Sequence, residues 1–99
     1  MNLSEKQKKH LRGLAHRLSP VSWLGTAGIT APFLAELDAT LKRHELIKLK
    51  VAAESRAERD QAIESVVVQT GATLIKRIGN IAVLYRPAPD GPRLELPAA

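Results

Sequence analysis

The segment Leu24-Gly25-Thr26-Ala27-Gly28-Ile29-Thr30 joins a short apolar run to a strongly amphipathic stretch through two glycines spaced GxxG. It limits the topology more than any other part of the chain. Gly25 and Gly28 open backbone torsions closed to other residues and lack the Cβ atoms that would hold a ligand backbone at a distance. A strand entering the bend and a helix leaving it call for an architecture built from both element types. The first turn of that helix would bring unpartnered amides and the positive end of the macrodipole to the mouth of the bend. An anionic group, with a phosphodiester the obvious candidate, is favoured there. A plain strand-to-helix turn uses the same spacing, so the rest of the chain has to discriminate.

Upstream, Ser4 and Gln7 form a capping-box pattern, and Leu11, Leu14, Ala15 and Leu18 fall on one helical face. A helix over about Ser4 to His16 is expected. Gly13 in its interior costs on the order of 0.5 to 1 kcal/mol against Ala, and close packing against another element is the expected compensation, with approach of a ligand backbone the alternative. Pro20 closes this region, and Val21 to Leu24 reads as a strand. Trp23, one of three aromatic residues, is expected in the core; stacking on a base is the alternative.

Downstream, Thr30 is the expected N-cap of a second helix with Pro32 in its first turn and Phe33, Leu34, Leu37 and Leu41 at helical spacing. His44 and Glu45 follow, and their adjacency suggests a local hydrogen-bonded pair. Leu46 to Val51 alternates, with Ile47, Leu49 and Val51 on one side and Lys48 and Lys50 on the other. Those lysines serve either solubility or phosphate contact. Ser55 and Glu58 make a second capping box, Ala62, Ile63, Val66 and Val67 a buried stripe, and Gly71 a C-terminal stop. Thr73 to Ile78, Gly79-Asn80 and Ile81 to Arg86 read as a hairpin with a primed two-residue turn. Its second strand is apolar at both parities, which places it inside the sheet. Pro87, Pro89, Gly91, Pro92 and Pro97 mark residues 88–99 as a tail, mobile or loosely draped, after a domain spanning 1–87.

The order α-β-α-β-α-β-β implies an α/β chain of the α+β two-layer kind, with a four-stranded mixed sheet packed with helices. Its 99 residues suit one domain with a modest core. Cysteine is absent, which removes disulfides, thiolate metal sites and cysteine nucleophiles. No apolar run approaches the roughly 18 to 20 residues of a membrane span, and the Lys-rich start has no signal-peptide core. A cytoplasmic location is expected. The net charge of +5 points to polyanionic partners, and its distribution sharpens this. Residues 1–17 carry five basic side chains against Glu5 alone, whereas the remainder carries ten basic and nine acidic ones.

The runs Leu3-Ser4 with Lys6-Gln7-Lys8, Leu11 to His16, Leu24 to Thr30, His44 to Lys50, Thr70-Gly71 and Leu84-Tyr85-Arg86-Pro87 resemble, in order, the CRM domain in its stand-alone bacterial YhbY form. The resemblance implies an RNA-binding domain similar in fold to the C-terminal domain of translation initiation factor three. Bacterial members of that family are associated with precursors of the large ribosomal subunit and plant relatives with intron splicing, so it also implies a role in ribosome assembly. Carried over by position, the family's GxxG loop is Gly25, Thr26, Ala27 and Gly28, and its basic surface is Lys6, Lys9, Arg12, Lys48 and Lys50. Many such loops hold a basic or polar residue in the middle. This one offers a hydroxyl but no charge, and the neighbouring lysines must supply the long-range attraction.

RNA is therefore the expected partner of a monomer without cofactor, metal or small-molecule substrate. Shape readout of structured RNA is expected over base reading, because stacking residues are scarce. An enzyme is disfavoured, since His10, His16 and His44 share no ligand spacing and lack a paired nucleophile. The remaining alternative is a protein-protein adaptor docking on ribosomal proteins through the first helix.

Overall fold

A computed structural model describes residues 2–99. The elements run α1 (Glu5–Ala15), β1 (Ser22–Leu24), α2 (Ala31–His44), β2 (Leu46–Val51), α3 (Arg56–Thr70), β3 (Thr73–Ile78) and β4 (Ile81–Tyr85). The sheet order is β1-β2-β4-β3, with β1 parallel to β2 and the other two pairings antiparallel. This mixed four-stranded sheet with three helices is the expected α+β fold, and β4 lies inside it. At the hairpin Gly79 alone takes a positive φ, +59°, the pattern of a primed turn with glycine first.

Alternation along the strands sorts the core into two. Ile47, Leu49, Val51, Ala82, Leu84 and Leu24 point towards Leu37 and Leu41 of α2 and Ile63 and Val66 of α3. Leu46, Val83, Tyr85 and Ile75 point the other way, towards Leu11 and Ala15 of α1. Helices thus cover both faces and add a third layer to the two expected. Only Leu11 and Ala15 of the anticipated α1 stripe are buried; Leu14 and Leu18 stay 40% and 38% exposed, one rotated off the contact line and the other beyond the helix end. β3 carries a bulge between Leu74 and Lys76: Ile75 keeps its place in the α1-side core, and the extra residue brings Lys76 opposite Val83 on that same face, with Ile78 two residues on.

The caps explain the helix boundaries. Ser4 Oγ accepts from Gln7 N–H at 3.1 Å while Gln7 Oε1 accepts from Ser4 N–H at 3.0 Å, completing the first capping box. The second is half formed: Ser55 Oγ accepts from Glu58 N–H, but the Glu58 carboxylate reaches one residue further back, to Glu54 N–H. Gly71 closes α3 in the left-handed region.

Three expectations fail on packing. A Cβ built on Gly13 meets nothing within 4 Å, so no neighbouring element demands that glycine. Trp23 is 63% exposed, because β1 buries Ser22 and Leu24 and turns the residue between them outward. The segment after Pro87 is irregular yet pinned, and its anchor is Glu45 rather than a local pair with His44. The Glu45 carboxylate accepts from Ala88 N–H at 2.6 Å, from Arg93 N–H at 3.0 and 3.1 Å, and from Leu94 N–H at 2.9 Å. Arg93 also donates to the carbonyls of Lys42 and Arg43 at the end of α2, Gln7 Nε2 donates to Pro97 O, and Leu94 and Leu96 pack on the α1-side core. Burial pushes the Glu45 carboxyl pKa up, but the three backbone donors and the Arg93 charge outweigh it and hold the group below the usual carboxylate range.

Candidate nucleic-acid interface

The GxxG bend leaves β1 at Leu24. Gly28 N–H donates to Gly25 O at 3.1 Å, closing a four-residue turn. Gly28 sits at φ +86°, so it is the glycine that the backbone requires; the Gly25 torsion is ordinary. Built Cβ atoms at both meet nothing within 4 Å, so the bend stands open to solvent.

The start of α2 offers fewer donors than the sequence led us to expect. Thr30 Oγ1 takes Phe33 N–H at 3.2 Å, Leu34 N–H bonds to Thr30 O, and Pro32 has no N–H. Among the described residues, Thr26 and Ala27 N–H have no protein acceptor. The same holds for Ile29, Thr30 and Ala31 N–H, so the bend and the start of α2 can present these amides and the Thr26 hydroxyl. No acidic side chain occupies the first turn of α2, so the positive end of its dipole is uncompensated.

One side of the bend is closed to anions. A cleft of about 560 Å³ separates Gly25, Thr26 and Gly28 from the start of α3, and Glu54 and Glu58 line its far wall. Two carboxylates there repel phosphate, so an anion is favoured only from the opposite side.

That opposite side is the α1 side of the sheet. Strand register places Trp23 beside Lys50, Lys50 beside Ile81, and Ile81 beside Ile78 in one cross-strand row. In the next row Lys48 lies beside Val83 and Val83 beside Lys76. Arg12 on the last turn of α1 and His16, the residue that caps its C-terminus, border the same surface, sharing a shallow hollow with Lys48 and Lys76. Arg12, Lys48 and Lys50 are therefore brought together. Lys6 and Lys9 flank a separate shallow depression further up α1, with Gly13 and Pro97. The bend follows Trp23 by two residues and connects to the surface through it.

Charge is segregated accordingly. Asp38 pairs with Lys42 at 3.1 Å and Arg86 at 2.9 Å, and Asp60 with Arg56 and Arg77, all on or beside α2 and α3. The Lys42 and Arg86 hydrogen bonds hold the Asp38 pKa below its ordinary value. Among the described residues, Lys6, Lys9, Arg12, Lys48, Lys50 and Lys76 make no ion pair; on α1 only Lys8 does, with Glu5. No group of three or more His, Cys, Asp or Glu side chains among the described residues is placed to hold a metal ion.

The sequence profile of the CRS1/YhbY (CRM) domain matches residues 3–86. The chain belongs to this family. A relative from Haemophilus influenzae, named as an RNA-binding protein, is 46% identical over 96% of this chain and 95% of its own length. YqeI of Bacillus subtilis, described as a probable RNA-binding protein, is 32% identical over 96% of this chain and 99% of its own length. The solution structure of a hypothetical protein from Staphylococcus aureus superposes with a TM-score of 0.81 at 33% identity, covering 97% of this chain and all of that one.

Two residues of the basic surface, Lys76 and His16, escape a reading of the sequence. Counting back from the Gly79 turn puts Lys76 on the same face as Ile78, which was a usable signal. Nothing local places His16 beside Lys48.

Proposed function

We propose that this CRM domain is a non-catalytic RNA-binding protein that acts, as a monomer in the cytoplasm, on precursors of the large ribosomal subunit. The sugar-phosphate backbone is received at Gly25, Thr26, Ala27 and Gly28, and the contact is widened by Lys6, Lys9, Arg12, Lys48 and Lys50. The observation that carries the reading is the segregation of charge among the described residues: six cations of α1 and the adjoining sheet make no ion pair, while Arg43 and Arg59, the unpaired cations of α2 and α3, share their side with Asp38, Asp60 and the Glu54–Glu58 wall. The names of the relatives support the choice of RNA among polyanions, and the ribosomal assignment rests on the family resemblance.

Binding to a ribosomal RNA transcript should weaken steeply with salt, each lost phosphate contact lowering the log-log slope by about 0.7 to 0.9. The Lys6→Ala, Lys9→Ala, Arg12→Ala triple variant should show the shallower slope, and an unchanged slope would remove α1 from the contact. In cell extracts, the protein should sediment with large-subunit precursors and leave them on ribonuclease treatment. Retention of protein partners after digestion would favour an adaptor.

A further inference from the structure

The exposed indole of Trp23 has no role in the reading above, which rests on phosphate contacts alone. Tryptophan is costly to leave in water, and burying such a ring on a partner recovers much of that cost. Its surroundings say which partner. The ring heads the row Trp23, Lys50, Ile81, Ile78, which three inter-strand steps of about 4.8 Å carry over roughly 14 Å of sheet. Ile78 at the far end is 48% exposed. The parallel row adds Lys48 and Lys76, with Arg12 and His16 along its border. Glu36 shares a hollow with Trp23, but it belongs to α2 on the other side of β1. The surface thus sets the flat indole one strand spacing from Lys50, with Lys48 and Lys76 in the next row and exposed Ile78 at the far end. A protein partner of complementary charge would match the lysines but not the need for a planar group over the indole. A nucleic-acid duplex would match the lysines and leave the indole unused, because its bases are already stacked on one another. An unpaired strand supplies both.

We propose, resting on the RNA-binding reading, that the open end of the sheet is a seat for an unpaired RNA segment. One base stacks on Trp23, and the adjoining phosphates lie against Lys50, Lys48 and Lys76. The strand then continues over the Thr26–Ala27 tip of the bend. The domain therefore favours RNA that presents a single-stranded loop or bulge beside its paired regions.

Trp23 is the sole tryptophan, so its fluorescence reports on this seat and on nothing else. The test titrates the full chain with a single-stranded RNA oligonucleotide and with the same strand annealed to its complement, reading both indole emission and the anisotropy of labelled RNA. Expected are quenching by the single strand, weak or no quenching by the duplex, and a loss of about fivefold or more in single-strand affinity for Trp23→Ala. Trp23→Phe should restore most of that affinity, and because residue 23 is exposed both variants should keep the wild-type unfolding midpoint. RNA binding by anisotropy with unchanged emission, or equal single-strand affinity for wild type and Trp23→Ala, overturns the stacking seat and leaves the RNA-binding reading standing. No binding of either RNA overturns both.

Discussion

The Glu45 carboxylate and the Ala88 N–H, separated by 43 residues of chain, meet at 2.6 Å in a buried hydrogen bond. Glu45 also sits at φ +64°, a torsion that costs a non-glycine residue on the order of 1 to 3 kcal/mol, and its own carbonyl accepts Arg86 N–H. The bonds it makes to the final segment offset that strain and tie the end of α2, the end of β4 and the last twelve residues into one junction. Replacing Glu45 by Gln turns an NH₂ group towards amide donors. The expected loss is on the order of 2 to 4 kcal/mol in urea unfolding. Deleting residues 88–99 should cost a comparable amount, since Glu45 keeps its strained torsion without the bonds that offset it and the α1-side core loses Leu94 and Leu96.

Acid should weaken the same junction. Glu45 and Asp38 both have folded pKa values below their unfolded ones, so both stabilise the fold above the ordinary carboxylate range. That contribution declines as pH falls through the unfolded values and is gone below the lowered folded ones. Thermal unfolding followed from pH 7 downward should show the wild-type midpoint falling more steeply than that of Glu45→Gln. Parallel curves would exclude Glu45 as the titrating group.

Arg86 Nη1 donates to Thr70 O at 2.9 Å and pairs with Asp38 at the same distance, while Nη2 donates to Asp38 O at 3.1 Å. It clamps the end of α3 to the middle of α2. Arg86→Lys keeps the charge and loses the fork, leaving carbonyl oxygens short of a donor. A loss of about 1 to 3 kcal/mol is expected, measurable by chemical denaturation.

Gly13→Ala should raise stability by about 0.5 to 1 kcal/mol, because the added methyl group meets open space and the helix gains propensity. If it also weakens RNA binding in the anisotropy assay, a ligand backbone passes over that position.

Glu54→Gln with Glu58→Gln removes the repulsive wall beside the bend while keeping an oxygen to accept Glu54 N–H. RNA affinity at low salt should rise by roughly two- to fivefold and the gain should fade as salt is added. No change would mean that RNA does not come near the bend.

Where local pattern and packing agree, the fold could be read from residues alone. Leu46 to Val51 alternates because one face of β2 is core and the other partly open. Ser4, Thr30, Ser55 and Gly71 mark helix ends through bonds made within a few residues. What escaped depends on distant partners. The outward turn of Trp23 follows from the register of a three-residue strand on β2, and the pinning of the final segment follows from a carboxylate far back in the chain. Gly13 suggested a neighbour that is not there. At the candidate site, Lys48 and Lys50 were legible from alternation, but their union with Arg12, His16 and Lys76 exists only once α1 lies across the sheet. The count of amides at α2 was overdrawn because Thr30 and Pro32 consume or remove donors that a bare helix end would show.

The bulge in β3 has a further effect, taken with the brevity of β1. These are the two borders of the sheet, and neither offers a long flat run of unpaired backbone: one ends after three residues, the other changes register part-way. An intruding strand from another molecule finds no template to extend, so both margins resist the edge-to-edge growth that starts fibrils, even at the high local concentrations a nucleic-acid scaffold creates.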